Sequence, residues 1–138
     1  MKPQKTSLKS RAFQWSFNGW LGGQIGGICW LLLLGILLLF HKDITAGISF
    51  IVCFLLLNAI GAFLWHRRDK IAPYPATQTF IALVGGLSAL TITLVDWAGY
   101  FPHGANASDY TKWLLIVPVL MVVFHFQERS SNKKDMTN

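Results

Sequence analysis

The sequence predicts an all-α fold, a polytopic membrane protein whose four transmembrane helices form an up-down-up-down bundle. Three observations support this prediction. The 138-residue chain is 53% hydrophobic and only 13% charged, about half the charged share of an average soluble domain. Four long runs contain no acidic or basic side chain, and the basic residues are concentrated in every second connecting segment.

The uncharged runs have the lengths that a bilayer requires. A hydrocarbon core ~30 Å thick needs ~20 apolar residues in a helix, and the first three runs meet this length. The fourth, residues 113–124, is shorter and spans only if it includes residues on both sides. We therefore predict transmembrane helices over residues 20–40, 44–65, 76–97 and 110–126.

A soluble helical bundle and a cleaved signal peptide are the two alternatives to this interpretation. Surface helices of a soluble bundle turn a polar face toward water, and these runs have almost no polar residues. Signal peptides have apolar regions of ~7–15 residues followed by a small-residue cleavage site. The first run is longer and is followed by no such site, so we expect it to remain as a helix.

The distribution of Lys and Arg predicts the orientation. The segment before the first helix, the loop at residues 66–70 and the segment after the fourth helix hold ten of the twelve basic residues, while the other two loops hold only Lys42 and Lys112. Because Lys- and Arg-rich segments stay on the cytoplasmic side, both termini are expected there, in a bacterial cytoplasmic (inner) membrane. The expected organisation is an interfacial amphipathic segment at residues 1–18, a transmembrane domain at 19–127 and a polar basic cytoplasmic tail at 128–138.

Three local features refine this outline. Phe13, Phe17 and Trp20 recur at helical spacing and predict a short interfacial helix before the first span. The prolines within residues 72–76 predict a rigid turn before the third span, because a residue that precedes proline avoids the helical conformation. Pro118 is expected to kink the fourth helix and to free a backbone carbonyl one turn earlier.

The formal net charge of +6 predicts contact with lipid rather than with nucleic acid. The basic residues are few and scattered, and those near a membrane surface each gain ~1 kcal/mol beside anionic lipid headgroups. The lipid bilayer and its anionic headgroups are therefore the expected partners, and nucleic acid is not.

Small residues predict where the helices approach one another. Lipid tails are as apolar as leucine, so helices in a bilayer associate by close packing at small residues. Small residues four apart in the first and third spans predict contacts within the chain, with copies of itself or with a larger membrane protein. The expected packing positions are Gly19, Gly22, Gly23, Gly26, Gly27, Gly35, Gly61, Gly85, Gly86 and Ala89.

Each predicted helix contributes one polar side chain to the cytoplasmic half of the bundle. These four are Gln24, Asn58, Gln78 and His125, and Ser88 and Thr91 lie deeper in the third helix. An amide in hydrocarbon needs a hydrogen-bond partner, so the four should face the bundle interior. They predict either a cytoplasm-facing polar pocket or hydrogen bonds that join the helices.

The remaining titratable groups predict no catalytic or metal site. Asp96 is the one carboxylate within a predicted span; it lies at the outer boundary, where it could pair with Lys42 or Lys112. Cys29 and Cys53 are single thiols, and no cluster has the spacing of metal ligands. We find no nucleophile–base pair, phosphate loop or paired carboxylate.

The histidines leave one cofactor alternative open. His41 and His103 are on one predicted side of the membrane and His66 and His125 on the other, which resembles in number the paired haem ligation of a four-helix cytochrome b. All four lie at helix ends or in loops, whereas ligands of a membrane haem lie within the bundle. No cofactor is expected, and haem is the alternative.

The sequence therefore predicts a small non-catalytic integral membrane protein. Its glycine-rich helix faces would pack in a homo-oligomer or in a larger membrane complex as an accessory subunit. The first alternative is an oligomeric channel or passive transporter for a small solute or ion, using the cytoplasm-facing polar pocket. The second is a haem or redox membrane protein.

Overall fold

The computed structural model describes residues 13–101 and 107–134, and every regular element within these ranges is a helix. Residues 1–12 of the predicted interfacial segment, His103 and the last four residues of the predicted tail lie outside the described residues. The helices, in chain order, are α1 (Phe17–Phe40), α2 (Ile44–His66), α3 (Pro73–Trp97), α4 (Ala107–Trp113) and α5 (Ile116–Lys134).

Four stretches of helix are long and apolar enough to cross a membrane. They are α1, α2, α3 and the segment Ala107–Ser130, which joins α4 to α5. The prediction of an all-helical fold with four long apolar helices is thus confirmed. The first two helices also begin and end within a few residues of the predicted limits.

Helix α1 begins after a capping serine rather than after an interfacial helix. The Ser16 side chain accepts a hydrogen bond from the Gly19 backbone N–H at 3.2 Å, as an N-cap residue does. Residues 13–16 are therefore not helical, and in these four residues the predicted interfacial helix is wrong. Phe13 packs instead against the rings of Tyr74 and Phe124, with centroids 5.6 and 5.4 Å away.

Helix α3 begins at Pro73, three residues earlier than predicted, so the rigid turn expected at residues 72–76 is wrong. Ala72 is extended (φ −67°, ψ 146°) and caps the helix, as expected for a residue before proline. Pro73 and Pro75 lie in the first helical turn, where backbone N–H groups have no acceptor within the helix. The prolines therefore start this helix instead of delaying it.

The fourth span is interrupted where Pro118 removes a backbone donor. Leu114 and Leu115 form a turn between α4 and α5, so one continuous helix over residues 110–126 is not observed. Without an N–H at Pro118 the Leu114 carbonyl lacks its usual partner, and it accepts from the Val117 N–H at 3.0 Å instead. Beyond this break, α5 continues to Lys134, into the segment predicted as a tail.

The core lies between α1, α2 and α3. Its fully buried side chains include Ile28 and Leu31 of α1, Phe50 and Leu57 of α2, and Ile92 of α3. None of residues 107–112 and 114–130 in the fourth apolar stretch is fully buried. This stretch packs along α3, just as α1 packs along α2 and α2 along α3. Each long helix therefore packs chiefly on its neighbours in chain order, and the fourth lies at the periphery.

The closest helix contact is between the backbones of α1 and α2. A Cβ added to Gly35 would lie 3.0 Å from the Gly47 carbonyl oxygen, and one added to Gly47 would lie 2.8 Å from the Gly35 oxygen. Gly35 near the end of α1 thus meets Gly47 near the start of α2, while Gln24 meets Asn58, so the two helices run antiparallel. Gly85 of α3 instead faces a side chain, that of Val117 in α5.

We predict that Gly47→Ala destabilises the protein by about 1–3 kcal/mol, the usual effect of overpacking a close contact. The added methyl group would meet backbone, which cannot rotate away as a side chain can. Gly86→Ala is the matched control, because a Cβ there meets no atom within 4 Å. Unfolding in a mixed detergent series checks both variants; equal stability of the two would contradict the close contact.

Candidate functional site

The predicted polar side chains form two separate hydrogen-bonded groups. In the first, Gln24 of α1 is only 6% exposed, and its Nε2 donates to the backbone oxygen of Asn58 at 3.1 Å and to the Asn58 Oδ1 at 3.2 Å. The Asn58 Nδ2 donates to the Phe54 carbonyl of its own helix. Gly61 makes this pairing possible, because a Cβ there would occupy the position of the Gln24 amide.

The second polar group joins α3 to α5. Gln78 Nε2 donates to the Met121 carbonyl oxygen at 3.0 Å and to the Tyr74 hydroxyl at 3.4 Å. The Tyr74 hydroxyl is in turn hydrogen-bonded to Nδ1 of His125 at 3.0 Å. Gln24 and Asn58 are therefore brought together, and so are Gln78 and His125, but no described hydrogen bond links the two groups.

The other predicted polar residues lie apart from both groups. Thr91 donates to the Leu87 carbonyl of its own helix at 2.8 Å. Ser88 is completely buried, and its Oγ has no hydrogen-bond partner among the described residues. Asp96 is exposed and forms no ion pair with Lys42 or Lys112 in the described part of the chain; Lys112 pairs with Asp109 at 2.8 Å.

The predicted small-residue positions divide into packed and open ones. Gly35, Gly61 and Gly85 face other helices closely, as described above, and Gly19 faces its own cap, Ser16. Ala89 is half-buried on α3. At the remaining positions an added Cβ would meet no atom within 4 Å; these are Gly22, Gly23, Gly26, Gly27 and Gly86.

A cleft of about 780 Å³ separates α1 from α5. Its floor is α3, its first wall is the face of α1 that carries Gly19, Gly23 and Gly27, and its second wall is α5 with the end of α4. The surface is mainly apolar and rich in aromatic rings. The aromatic residues that line it are Phe13, Trp15, Trp20, Trp30, Phe80, Tyr110 and Phe124.

The polar groups at this cleft are few, and most are already hydrogen-bonded. Trp20 Nε1 donates to the Gly61 carbonyl at 3.1 Å, and Trp15 Nε1 donates to the Ile71 carbonyl at 3.0 Å. Thr77 donates to the Pro73 carbonyl of its own helix. Gln24 alone among the predicted pocket residues lines the cleft. The site is therefore suited to an apolar molecule, with one buried amide in its wall.

Sequence reasoning did not predict this cleft, although two of its features were visible. Gly19, Gly23 and Gly27 follow one another at intervals of four, and Trp30 lies in the middle of a span rather than at a boundary. Both features fall on one face of α1. The missing information was that α5 packs along α3 and leaves this face uncovered, which depends on contacts between distant segments.

No protein-family model, curated protein or solved structure matches this chain. Among the described residues, no three His, Cys, Asp or Glu side chains form a group that could hold a metal ion. The candidate site is consequently defined by shape and by one amide pair rather than by a catalytic constellation.

A double-mutant cycle tests whether Gln24 and Asn58 stabilise the fold together. Gln24→Leu and Asn58→Leu should show a coupling of ~0.6 kcal/mol, and at most ~1.7 kcal/mol, the range measured for hydrogen bonds between membrane helices. The control cycle pairs Gln24→Leu with Gln78→Leu, whose effects should add because the two amides belong to separate groups. Unfolding free energies in detergent provide the measurement, and additive effects for Gln24 and Asn58 would refute the bond between the two side chains.

Proposed function

We propose that this protein is a small, non-catalytic integral membrane protein that assembles with other membrane helices. The observation that carries the proposal is the apolar character of the surface that faces away from the core. Large apolar side chains on every span are more than half exposed: Leu33, Leu55, Phe63, Leu90 and Val119. A surface of this kind is stable in contact with lipid and would associate in water.

The proposed orientation has both termini in the cytoplasm and the spans in up-down-up-down order. The antiparallel contact of α1 with α2 supports it, as does that of α3 with α5, where Tyr74 meets His125 and Gly85 meets Val117. It places the Arg67 and Arg68 end of α2 on the cytoplasmic side. There both guanidinium groups lie over aromatic rings, those of Phe63 and Trp65, as suits a membrane boundary.

The proposed assembly surface is the outer face of α1 around Gly22 and Gly26. Each residue of a helix is turned about 100° from the last, so these glycines point away from the cleft wall formed by Gly23 and Gly27. Nothing in the described chain covers them. Small residues four apart allow another helix to approach closely in a bilayer. The proposed occupant of this face is α1 of a second copy, or one helix of a larger complex.

The channel alternative has less support from the same contacts. A polar path across the bundle needs groups that are free to contact a solute, whereas Gln24 and Asn58 bond to each other and Gln78 bonds to α5. A haem alternative has less support too, because His125 is exposed and bonded to Tyr74. The non-catalytic assembly proposal requires neither arrangement.

Oxidative crosslinking of Cys29 tests self-association, because this native thiol shares the outer face of α1 with Gly22 and Gly26. In membranes treated with copper phenanthroline, a Cys53→Ala protein should form a disulfide-linked dimer through Cys29. Gly26→Leu should reduce dimer formation severalfold by separating the helices, whereas Gly23→Leu, on the cleft side, should not. A dimer yield that is unaffected by Gly26→Leu would contradict this assembly face, and crosslinking to a larger protein would favour the accessory-subunit form.

A further inference from the structure

The cleft between α1 and α5 has the size and character of a ligand site. Its volume of about 780 Å³ lies within the ~300–1,000 Å³ of typical small-molecule sites, which are mainly apolar with a few placed polar groups. We propose that it binds a neutral lipid that carries a free hydroxyl group, and that the hydroxyl donates a hydrogen bond to Gln24 Oε1. The proposal rests on the proposed placement in a bilayer but not on self-association.

The Gln24 side chain supplies the polar end of this site. Its amide orientation is fixed, because the backbone oxygen of Asn58 only accepts and must therefore face Nε2. Both Nε2 protons are used by Asn58, whereas no group in residues 13–101 and 107–134 donates to Oε1. The side chain is 94% buried, given its 6% exposure, and it lines the cleft. Among the described residues, Ser88 Oγ is the one fully buried polar side-chain atom without a partner. The Gln24 Oε1 atom therefore retains some exposure, and it can accept a hydrogen bond from a molecule in the cleft.

The chemistry of this acceptor selects among lipids. The acyl chains of an ordinary phospholipid have no hydrogen-bond donor, and their ester groups only accept. A hydroxyl group on an apolar body supplies the donor. Gln24 is four residues beyond Trp20, ~6 Å along the helix, which is too deep for a charged headgroup but suitable for a neutral one. The aromatic walls formed by Trp20, Trp30 and Phe80 would contact the apolar body.

A helix from another protein is a poorer occupant. Four turns of an α-helix, ~22 Å long and ~10 Å across, take up roughly twice the cleft volume of about 780 Å³. The α1 wall opposite Val117 and Leu120 is formed by Gly23 and Gly27, so the space there is a slot between one glycine face and branched side chains. A flexible chain or a flat ring fits such a slot better than a cylinder with its own side chains.

The test compares two probes in the full-length protein, reconstituted in nanodiscs of dioleoylphosphatidylcholine. Hexadecan-1-ol and hexadecyl methyl ether have the same chain, but only the alcohol can donate a hydrogen bond. At equal mole fractions, native mass spectrometry should detect one bound alcohol, in about fivefold or greater preference over the ether. Gln24→Met should abolish this preference while retaining the length and apolar character of the side chain.

Two leucine variants on adjacent residues supply the matched comparison. A Cβ at Gly22 or at Gly23 would meet no atom within 4 Å, so both variants should fold, but only Gly23 lines the cleft. Gly23→Leu should lower alcohol retention about tenfold or more by filling the slot, and Gly22→Leu should leave it unchanged.

Three outcomes would overturn the proposal. Equal retention of alcohol and ether by the natural protein would mean that bulk acyl chains fill the cleft. Equal loss in the two leucine variants would place the probe elsewhere. A dimer that dissociates only in Gly23→Leu would assign the cleft to a second copy. Failure of the proposed assembly face would appear instead in the Cys29 crosslinks of the Gly26→Leu variant. The alcohol-binding comparison does not depend on those crosslinks.

Discussion

The contact between the backbones of α1 and α2 determines the arrangement of the other helices. Gly35 and Gly47 bring the two backbones together at one end, and the Gln24 amide lies over Gly61 and bonds to Asn58 at the other. Two fixed points along an antiparallel pair set both the spacing and the register. Helix α3 then packs chiefly on α2, and its Phe80 ring meets Trp20 of α1 at a centroid distance of 5.6 Å.

The fourth apolar stretch packs against α3 rather than against the α1–α2 pair. Helix α5 packs on α3 through Gly85 and through the Gln78 bond to Met121, and it buries none of its described side chains completely. The cleft is the space between this peripheral helix and the glycine face of α1. In the proposed bilayer the glycines of α1 divide between two roles: Gly23 and Gly27 shape the cleft, while Gly22 and Gly26 form the outer face.

Sequence periodicity and charge were sufficient for the four long apolar helical stretches and nearly sufficient for the limits of the first two. The predictions failed where a residue type is compatible with two different local structures. Pro73 and Pro75 predicted a turn because proline breaks helices, yet in the first turn proline is compatible with helix because the missing N–H would have no partner there. Phe13 matched a helical face, but Ser16 capped the helix before that face could extend.

The candidate site was less predictable than the fold. The sequence identified Gln24 and Asn58 as residues that need hydrogen-bond partners. It did not predict that these two would bond to each other, or that Gln78 would bond to α5. Which amides pair depends on which helices are neighbours, and every span here carries suitable polar groups. The cleft was unpredictable for the same reason, since an uncovered glycine face looks identical in sequence to a packed one.

Maleimide labelling of single cysteines, introduced into a protein without Cys29 and Cys53, tests the central claim most directly. That claim is that lipid covers the apolar outer faces of the helices and that the basic loops lie on one side of the membrane. A membrane-impermeant maleimide should label Lys42→Cys in intact cells and Lys70→Cys only after permeabilisation. Leu55→Cys, on the exposed face of α2, should resist labelling until the membrane is dissolved, because a charged, impermeant reagent does not enter hydrocarbon. Labelling of Leu55→Cys in intact membranes, or of Lys70→Cys from outside, would contradict the account.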